Sequence, residues 1–171
     1  MAFELDAKGK HRKLTPSYQG SRYRNGRPKV NGDILRRMKQ VTIEEAWGVL
    51  GGKDHHFQFD GDWLNLHPDR VIVGRAVTCR YVPHRPDLNE VVDADGENNK
   101  RGGGQNSWVI DMLVKDDVLV VELFGKIIKG TFIGDNLGTA INVITGGTGV
   151  VSDGSIRDDE RVRQLPFNVL C

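Results

Sequence analysis

Apolar residues recur along the chain with two different periods, which predicts helices alternating with strands. In residues 34–50 they recur at helical spacing with one interruption, so two short helices fit this segment best. Thr42 and Glu45 have the three-residue spacing of a capping box, which predicts that the second helix starts after Thr42. Gly51 and Gly52 then end it.

Runs of β-branched and other apolar residues predict the strands. Residues 71–82, VIVGRAVTCRYV, indicate a buried strand that bends at Gly74 and carries Cys79 as a core residue. Residues 108–114 are a further apolar run, and residues 117–123, DVLVVEL, are a strong strand candidate. We expect additional extended segments at residues 125–133, at residues 149–151 and at residues 165–170, around Pro166.

Two polar stretches separate these elements. Residues 53–70 contain His55, His56 and His67 among several aspartates, but the adjacent histidines lack the spacing of zinc motifs, so we expect a polar loop. Residues 83–104 are predicted to form a mobile flap. Their acidic residues lack the spacing and the terminal glutamate of a calcium-binding loop.

The net charge of +1 conceals an uneven distribution of charged residues. Residues 1–40 contain eleven basic and three acidic side chains, so we divide the chain into a basic arm, residues 1–33, and one α/β domain, residues 34–171. We expect residues 8–29 to be extended. Because the arm lacks known nucleic-acid-binding motifs, a tail or a contact with another subunit is favoured over nucleic-acid binding.

The ends of the chain and its cysteines bear on the compartment. Two cysteines do not make a disulfide framework, and the first ten residues lack the apolar segment of a secretion signal. No apolar run approaches the roughly 18 residues that a membrane span needs. We therefore expect a cytoplasmic protein that does not enter a membrane.

The candidate site lies in residues 134–158, GDNLGTAINVITGGTGVVSDGSIRD. Asp135 is predicted to be the N-cap of a helix over residues 136–144, with the backbone amides of Asn136 and Leu137 open to an anion. We expect Asp153 and Gly154 to turn the chain after a short strand. This turn would bring Arg157 and Asp158 toward the helix start, giving an anion site beside a possible metal ligand. A plain cap and a surface ion pair are the alternative interpretation.

Several segments together resemble the RraA-like family. They are VGRAVTC, the strand at residues 117–121, GDNLGTA and GVVSDGSIRD, and the resemblance extends over about residues 34–170. The family includes the regulator of ribonuclease activity A and metal-dependent 4-hydroxy-4-methyl-2-oxoglutarate aldolases. The resemblance implies a swivelling β/β/α domain, in which a layered sheet packs with helices, assembled into homotrimers or hexamers with the site at a subunit interface.

The resemblance also implies roles for individual residues. The amides of Asn136 and Leu137 would bind the substrate carboxylate, Arg157 would pair with the oxo-acid oxygens, and Asp158 would bind Mg²⁺ or Mn²⁺. Asp135 is similar to the family's aspartate at the helix N-terminus. Because aldol cleavage also needs a base for the hydroxyl proton, Asp135 acting through a water is our candidate for that role. The implied activity is a pyruvate-releasing lyase, an aldolase or oxaloacetate decarboxylase, because both reactions pass through the enolate of pyruvate.

Other interpretations follow from the same residues and the same resemblance. The chain stops at Cys171, where the family usually continues through further strands and a helix, so we expect a domain that is incomplete at its C-terminus. A non-catalytic regulator that binds a protein partner is the alternative function. Lys126 or Lys129 could instead form a Schiff base in a metal-free aldolase.

Overall fold

The computed structural model of the chain describes residues 9–171, so the first eight residues of the predicted arm lie outside the described residues. Helices and strands alternate in a mixed α/β order. The helices are α1 (Lys10–Leu14), α2 (Gly32–Met38), α3 (Ile43–Gly51), α4 (Pro86–Asn98), α5 (Gln105–Ile110), α6 (Asp135–Thr145) and α7 (Asp159–Val162). The strands are β1 (Arg75–Arg80), β2 (Asp117–Thr131), β3 (Val150–Ser155) and β4 (Val169–Leu170).

Within residues 9–171 the strands form one parallel sheet in the order β1-β2-β3-β4. Val77, Leu119, Val150 and Val169 pair in register and make one apolar row across all four strands. Parallel neighbours need crossover connections, and the helices between the strands supply them. The sheet and its helices confirm the predicted α/β fold class.

The core lies where the apolar row meets the helices. Val109 and Ile110 of α5, Ile141 of α6 and Phe167 before β4 are buried in the same cluster as the row. Each such side chain contributes about 1.5–3 kcal/mol when fully buried. Helix α6 is therefore held against the sheet, and its first turn has a fixed position relative to the strand ends.

The predicted helix pair and most strand positions are confirmed. Helices α2 (Gly32–Met38) and α3 (Ile43–Gly51) form the helix pair predicted for residues 34–50, and Thr42 and Glu45 form the predicted capping box. The candidate strand at residues 117–123 continues to Thr131. Cys79 packs against the core from a partly buried position, and this burial raises the pKa of its thiol to about 12.

The prediction of a mobile flap at residues 83–104 is wrong, because this segment contains α4. Pro86 lies at the start of the helix, where a missing amide costs little. Gly96 lies directly against the ring of Trp108, where any side chain at position 96 would overlap it. Gln105 donates hydrogen bonds to Asn89 and Asp93 of α4. Contacts with α5 therefore stabilise a helix whose own sequence is polar.

Three further local predictions are corrected. Asp153 and Gly154 lie within β3 and do not turn the chain, since Gly154 packs against the carbonyl of Gly130, where a side chain would not fit. The predicted strand at residues 165–170 is reduced to Val169–Leu170. The arm is not wholly extended, because residues 10–14 form α1 and an antiparallel bridge joins Arg22 to Pro28.

A buried ion cluster joins the arm to the sheet. The carboxylate of Asp117, fully buried at the start of β2, lies 2.9 Å from the guanidinium of Arg27 and 3.0 Å from that of Arg75. Its second oxygen accepts a hydrogen bond of 2.9 Å from the amide of Val114. Both arginines also lie over the ring of Tyr23. The later part of the arm, around residues 22–29, is thus packed onto the domain.

Two remaining features concern the compartment. Cys79 and Cys171 are free thiols. None of the helices in residues 9–171 is both long and apolar enough to cross a membrane.

We predict that Asp117→Ala lowers the free energy of unfolding by about 3–5 kcal/mol, because two buried guanidinium groups lose their counter-charge. Urea denaturation followed by circular dichroism measures this change. The control is Asp159→Ala, which removes a half-exposed ion pair with Arg163 and should cost no more than about 1 kcal/mol. Equal losses in the two variants would contradict the assigned importance of the buried cluster.

Candidate functional site

A cavity of about 600 Å³ opens at the first turn of α6, beside the segments that follow β2 and β3. Crevices beyond the carboxyl ends of parallel strands are common ligand sites in α/β proteins. The structure places all five predicted site residues on the wall of this cavity, together with others that the sequence did not single out for it. The lining residues are Asn106, Lys129, Thr131, Phe132, Gly134, Asp135, Asn136, Leu137, Arg157 and Asp158.

The start of α6 differs from the prediction by one residue. Gly134 is the N-cap and Asp135 is the first helical residue, so the predicted N-cap role of Asp135 is wrong. The carboxylate of Asp135 nevertheless accepts a hydrogen bond of 2.8 Å from the amide of Asn136. The first intrahelical bond runs from Gly138 to Gly134, which leaves the amide of Leu137 without a helical acceptor. Of the two amides predicted to bind an anion, that of Leu137 is the more available.

Asp135 is tied to α7 by an ion pair. Its Oδ2 lies 2.9 Å from the guanidinium of Arg161, an exposed side chain. The hydrogen bond from Arg161 is the main reason why the pKa of Asp135 lies below its ordinary value. Asp135 is therefore a carboxylate at neutral pH, with each oxygen in one hydrogen bond.

Asp158 lies in the segment after β3, and its side chain faces the start of α6. Its backbone has a φ of 57°, a left-handed conformation that aspartate tolerates better than most residues, and its carbonyl accepts the first hydrogen bonds of α7. One carboxylate oxygen is 3.4 Å from the amide of Asp135. A side chain at Gly134 would overlap this oxygen, so the glycine allows the close approach.

Arg157 and Lys129 supply positive charge from two separate segments. The amide of Arg157 donates to the carbonyl of Ile133 at 2.9 Å, which fixes its backbone beside α6. Neither its guanidinium nor the ammonium of Lys129 makes a salt bridge with any residue of the described range 9–171. From the sequence, Lys129 is expected only as a possible nucleophile. Its position on the cavity wall depends on the path of β2, which no sequence pattern indicated.

Asp158 leaves one carboxylate oxygen open to a hard cation that keeps most of its waters. Nowhere in residues 9–171 do three or more His, Cys, Asp or Glu side chains converge in a way that would enclose a metal. Asp158 does present one carboxylate oxygen that makes no hydrogen bond within that range. Mg²⁺ commonly binds through one or two carboxylates and several waters, so Asp158 is compatible with it. The cavity thus combines one candidate metal ligand, two cations and a helix amide.

One family model matches most of the chain. Residues 41–171 match the family model described as RraA-like: Aldolase/RraA. No curated protein matches the chain. Among solved structures, the chain is similar to RraAS2 of Streptomyces coelicolor, described as an unusual member of the RNase ES inhibitor RraA protein family, with 24% identity and a TM-score of 0.60. It is also similar to an uncharacterized protein from Pseudomonas syringae pv. tomato str. DC3000, with 19% identity and a TM-score of 0.60.

The two structural matches cover most of this chain but only part of each related protein. In both comparisons 84% of this chain is covered. The chain spans 64% of the length of the Streptomyces protein and 57% of that of the Pseudomonas protein. At these identities the similarity establishes the fold.

We predict that Arg161→Gln raises the pKa of Asp135 toward its ordinary value, because the main group that stabilises the carboxylate is lost. A ¹³C NMR titration of the aspartate carboxyl groups measures the shift. Since the folded-state pKa of Asp135 is lowered, the ion pair stabilises the fold above the ordinary aspartate pKa, and its contribution disappears as the pH falls through the lowered value. Arg163→Gln, which leaves this pair intact, is the control; an unchanged Asp135 titration in Arg161→Gln would contradict the assignment.

Proposed function

The chain belongs to the RraA-like family, which includes both aldolases and ribonuclease inhibitors without catalytic activity, and from this premise we propose that it is a metal-dependent lyase. The proposed reaction cleaves a carbon–carbon bond of a small 2-oxo acid and releases pyruvate. The observation that carries the proposal is the convergence of Arg157, Asp158 and the amide of Leu137 on one cavity. A plain helix cap and a surface ion pair would not require these three groups to face a shared space.

Each group has a defined role in the proposed chemistry. The amide of Leu137, at the positive end of the α6 dipole, binds the carboxylate next to the oxo group. The guanidinium of Arg157 donates to the oxo-acid oxygens and orients the substrate. Asp158 would hold Mg²⁺ or Mn²⁺, which supplies positive charge to the oxyanion that develops during cleavage.

Aldol cleavage also requires a proton acceptor. The substrate hydroxyl loses its proton, the bond between C3 and C4 breaks, and the electron pair of that bond forms the enolate of pyruvate, which is then protonated at C3. Asp135 is ionised at neutral pH and has lone pairs beyond its two hydrogen bonds, so it accepts the hydroxyl proton through a water. Oxaloacetate gives the same enolate by losing carbon dioxide, and that reaction has no hydroxyl proton to remove.

A protein-binding regulator is the second candidate function. Helix α3 has no buried residue, and its apolar residues Ile43, Trp47 and Val49 are exposed, as expected of a helix that contacts a partner. The similarity to a ribonuclease inhibitor family member is compatible with this role. We further propose assembly into homotrimers or hexamers, which light scattering coupled to size exclusion measures directly.

We predict Mg²⁺-dependent release of pyruvate from 4-hydroxy-4-methyl-2-oxoglutarate and from oxaloacetate, with at least about a 10²-fold loss of kcat/KM in Asp158→Ala. Coupled oxidation of NADH by lactate dehydrogenase measures the pyruvate. Asp159→Ala is the matched control, since the neighbouring carboxylate pairs with Arg163 and does not line the cavity. If the folded wild-type protein releases no pyruvate with either Mg²⁺ or Mn²⁺, the lyase proposal is refuted and the regulator is favoured.

We predict that Asp135→Asn separates the two activities. The aldol cleavage should fall by about 10²-fold or more because its general base is lost, whereas decarboxylation of oxaloacetate should fall by less than about tenfold. The ratio of the two kcat values is the measurement, with Arg161→Gln as the control that disturbs the same ion pair but keeps the carboxylate. Equal losses in both reactions would assign Asp135 to positioning instead of proton transfer.

A further inference from the structure

The basic arm is folded and is held on the domain. Residues 9–32 contain seven lysines and arginines and no acidic residue. Arg22 organises this segment. Its guanidinium donates four hydrogen bonds of 2.7–2.9 Å, to the hydroxyl and carbonyl of Thr15 and to the carbonyls of Tyr18 and Gly26. Together with the buried ion cluster that ties the arm to the sheet, these bonds give the segment a defined backbone, so it is not a free tail.

Four cations of the arm are left without a partner. The side chains of Lys10, Arg12, Lys13 and Arg24 are exposed, and none of them makes a hydrogen bond or an ion pair with any part of residues 9–171. A Cβ added to Gly26 would lie 3.4 Å from Cγ of Arg12, so α1 packs on the turn that carries Arg24. The unpaired cations of α1 and of the turn therefore lie in adjacent segments.

The rest of the chain does not share this positive charge. Residues 41–171 contain thirteen basic and twenty acidic side chains, so a negatively charged ligand is attracted to the arm and not to the protein as a whole. The arm joins the sheet at Arg75 and Asp117, the first residues of β1 and β2. The cavity lies beyond the carboxyl ends of the strands. A ligand of the arm therefore has no need to enter the cavity.

The exposed side chains of the arm indicate which kind of polyanion fits it. Leu14 is the one large apolar side chain that is exposed in residues 9–33. The centre of a protein–protein interface is usually poor in charged residues and rich in large apolar and aromatic ones, which the arm does not offer. A phosphate backbone presents regularly spaced charges and needs no base-reading motif in the protein that binds it. Nucleic acid therefore matches the arm better than an acidic protein does.

We propose that the arm binds the phosphate backbone of nucleic acid without reading its sequence, through Lys10, Arg12, Lys13 and Arg24. Each contact releases a counterion from the nucleic acid, so the affinity falls as the salt concentration rises. The lack of a known nucleic-acid-binding motif excludes a familiar base-reading module but not this mode of binding. The proposal does not rest on the lyase, because Arg157 and Asp158 take no part in it.

Fluorescence anisotropy of a labelled oligothymidylate of about 20 nucleotides, and of a duplex of the same length, measures the binding. Four phosphate contacts give a plot of the logarithm of the association constant against that of the salt concentration a slope of about −3 for the single strand. Substitution of the four cations should remove most of this slope and lower the affinity at low salt at least about tenfold, for oligoadenylate as for oligothymidylate. The variant carries Lys10→Gln, Arg12→Gln, Lys13→Gln and Arg24→Gln.

The matched control removes the same charge from four exposed positions outside the arm. It carries Lys53→Gln, Arg70→Gln, Lys100→Gln and Lys126→Gln, and it should keep the slope and most of the affinity. Circular dichroism verifies that both variants are folded, as expected of substitutions at exposed positions.

The outcomes also separate the arm from the lyase. Equal losses in the two variants, a slope that the arm substitutions leave unchanged, or no binding of either oligonucleotide to the folded wild-type protein would overturn the proposal. Poly-L-glutamate that binds through the arm as tightly as the oligothymidylate would overturn it as well and would assign the arm to an acidic protein. Binding through the arm by a protein that releases no pyruvate would retain this proposal and remove the lyase.

Discussion

The carboxylate of Asp117 is the constraint on which the arrangement of the sheet depends. A charge with no solvent exposure is stable only when opposite charges and hydrogen bonds surround it, and Arg27, Arg75 and the Val114 amide provide these. Arg75 pairs with Asp117 across β1 and β2, so the ion pair fixes the register of the two strands at their first residues. Two residues further along each strand, Val77 meets Leu119 and begins the apolar row that continues into β3 and β4.

The register of the sheet decides where the cavity lies. Since β2 and β3 run parallel, the segments that leave them emerge on the same side, where α6 starts on one and Arg157 follows the other. The approach of these segments is close enough that Gly134 must lack a side chain beside the Asp158 carboxylate. The proposed site therefore depends on two backbone segments that approach each other closely and carry the charged side chains. Neighbouring residues of the same type, such as Asp159, do not line the cavity and so take no part in the proposed chemistry.

The predicted part of the cavity could be found from the sequence because its residues lie in one continuous segment, residues 134–158. Asp135 and Arg157 are brought together by a single strand-helix-strand unit, so local patterns suffice to place them. Helix α4 was not predictable, because its polar sequence is stabilised by the Gly96–Trp108 contact, which exists only in the folded chain. The place of Lys129 on the cavity wall was missed for a related reason: the excursion of β2 that brings it there includes positive φ angles at residues that are not all glycine.

Strand β1 forms an outer edge of the sheet within residues 9–171, and its unpaired backbone groups are a potential template for another chain. The ends of this edge are charged. Arg75 binds Asp117 at one end, and at the other Arg80 lies 2.5 Å from Glu122 while its guanidinium stacks over Phe124. A foreign strand that added to β1 would have to displace or bury the exposed guanidinium of Arg80. The arginine that pairs with Glu122 and helps to hold β1 to β2 thus also opposes edge-to-edge aggregation, a protection that depends on charge and not on covering the edge.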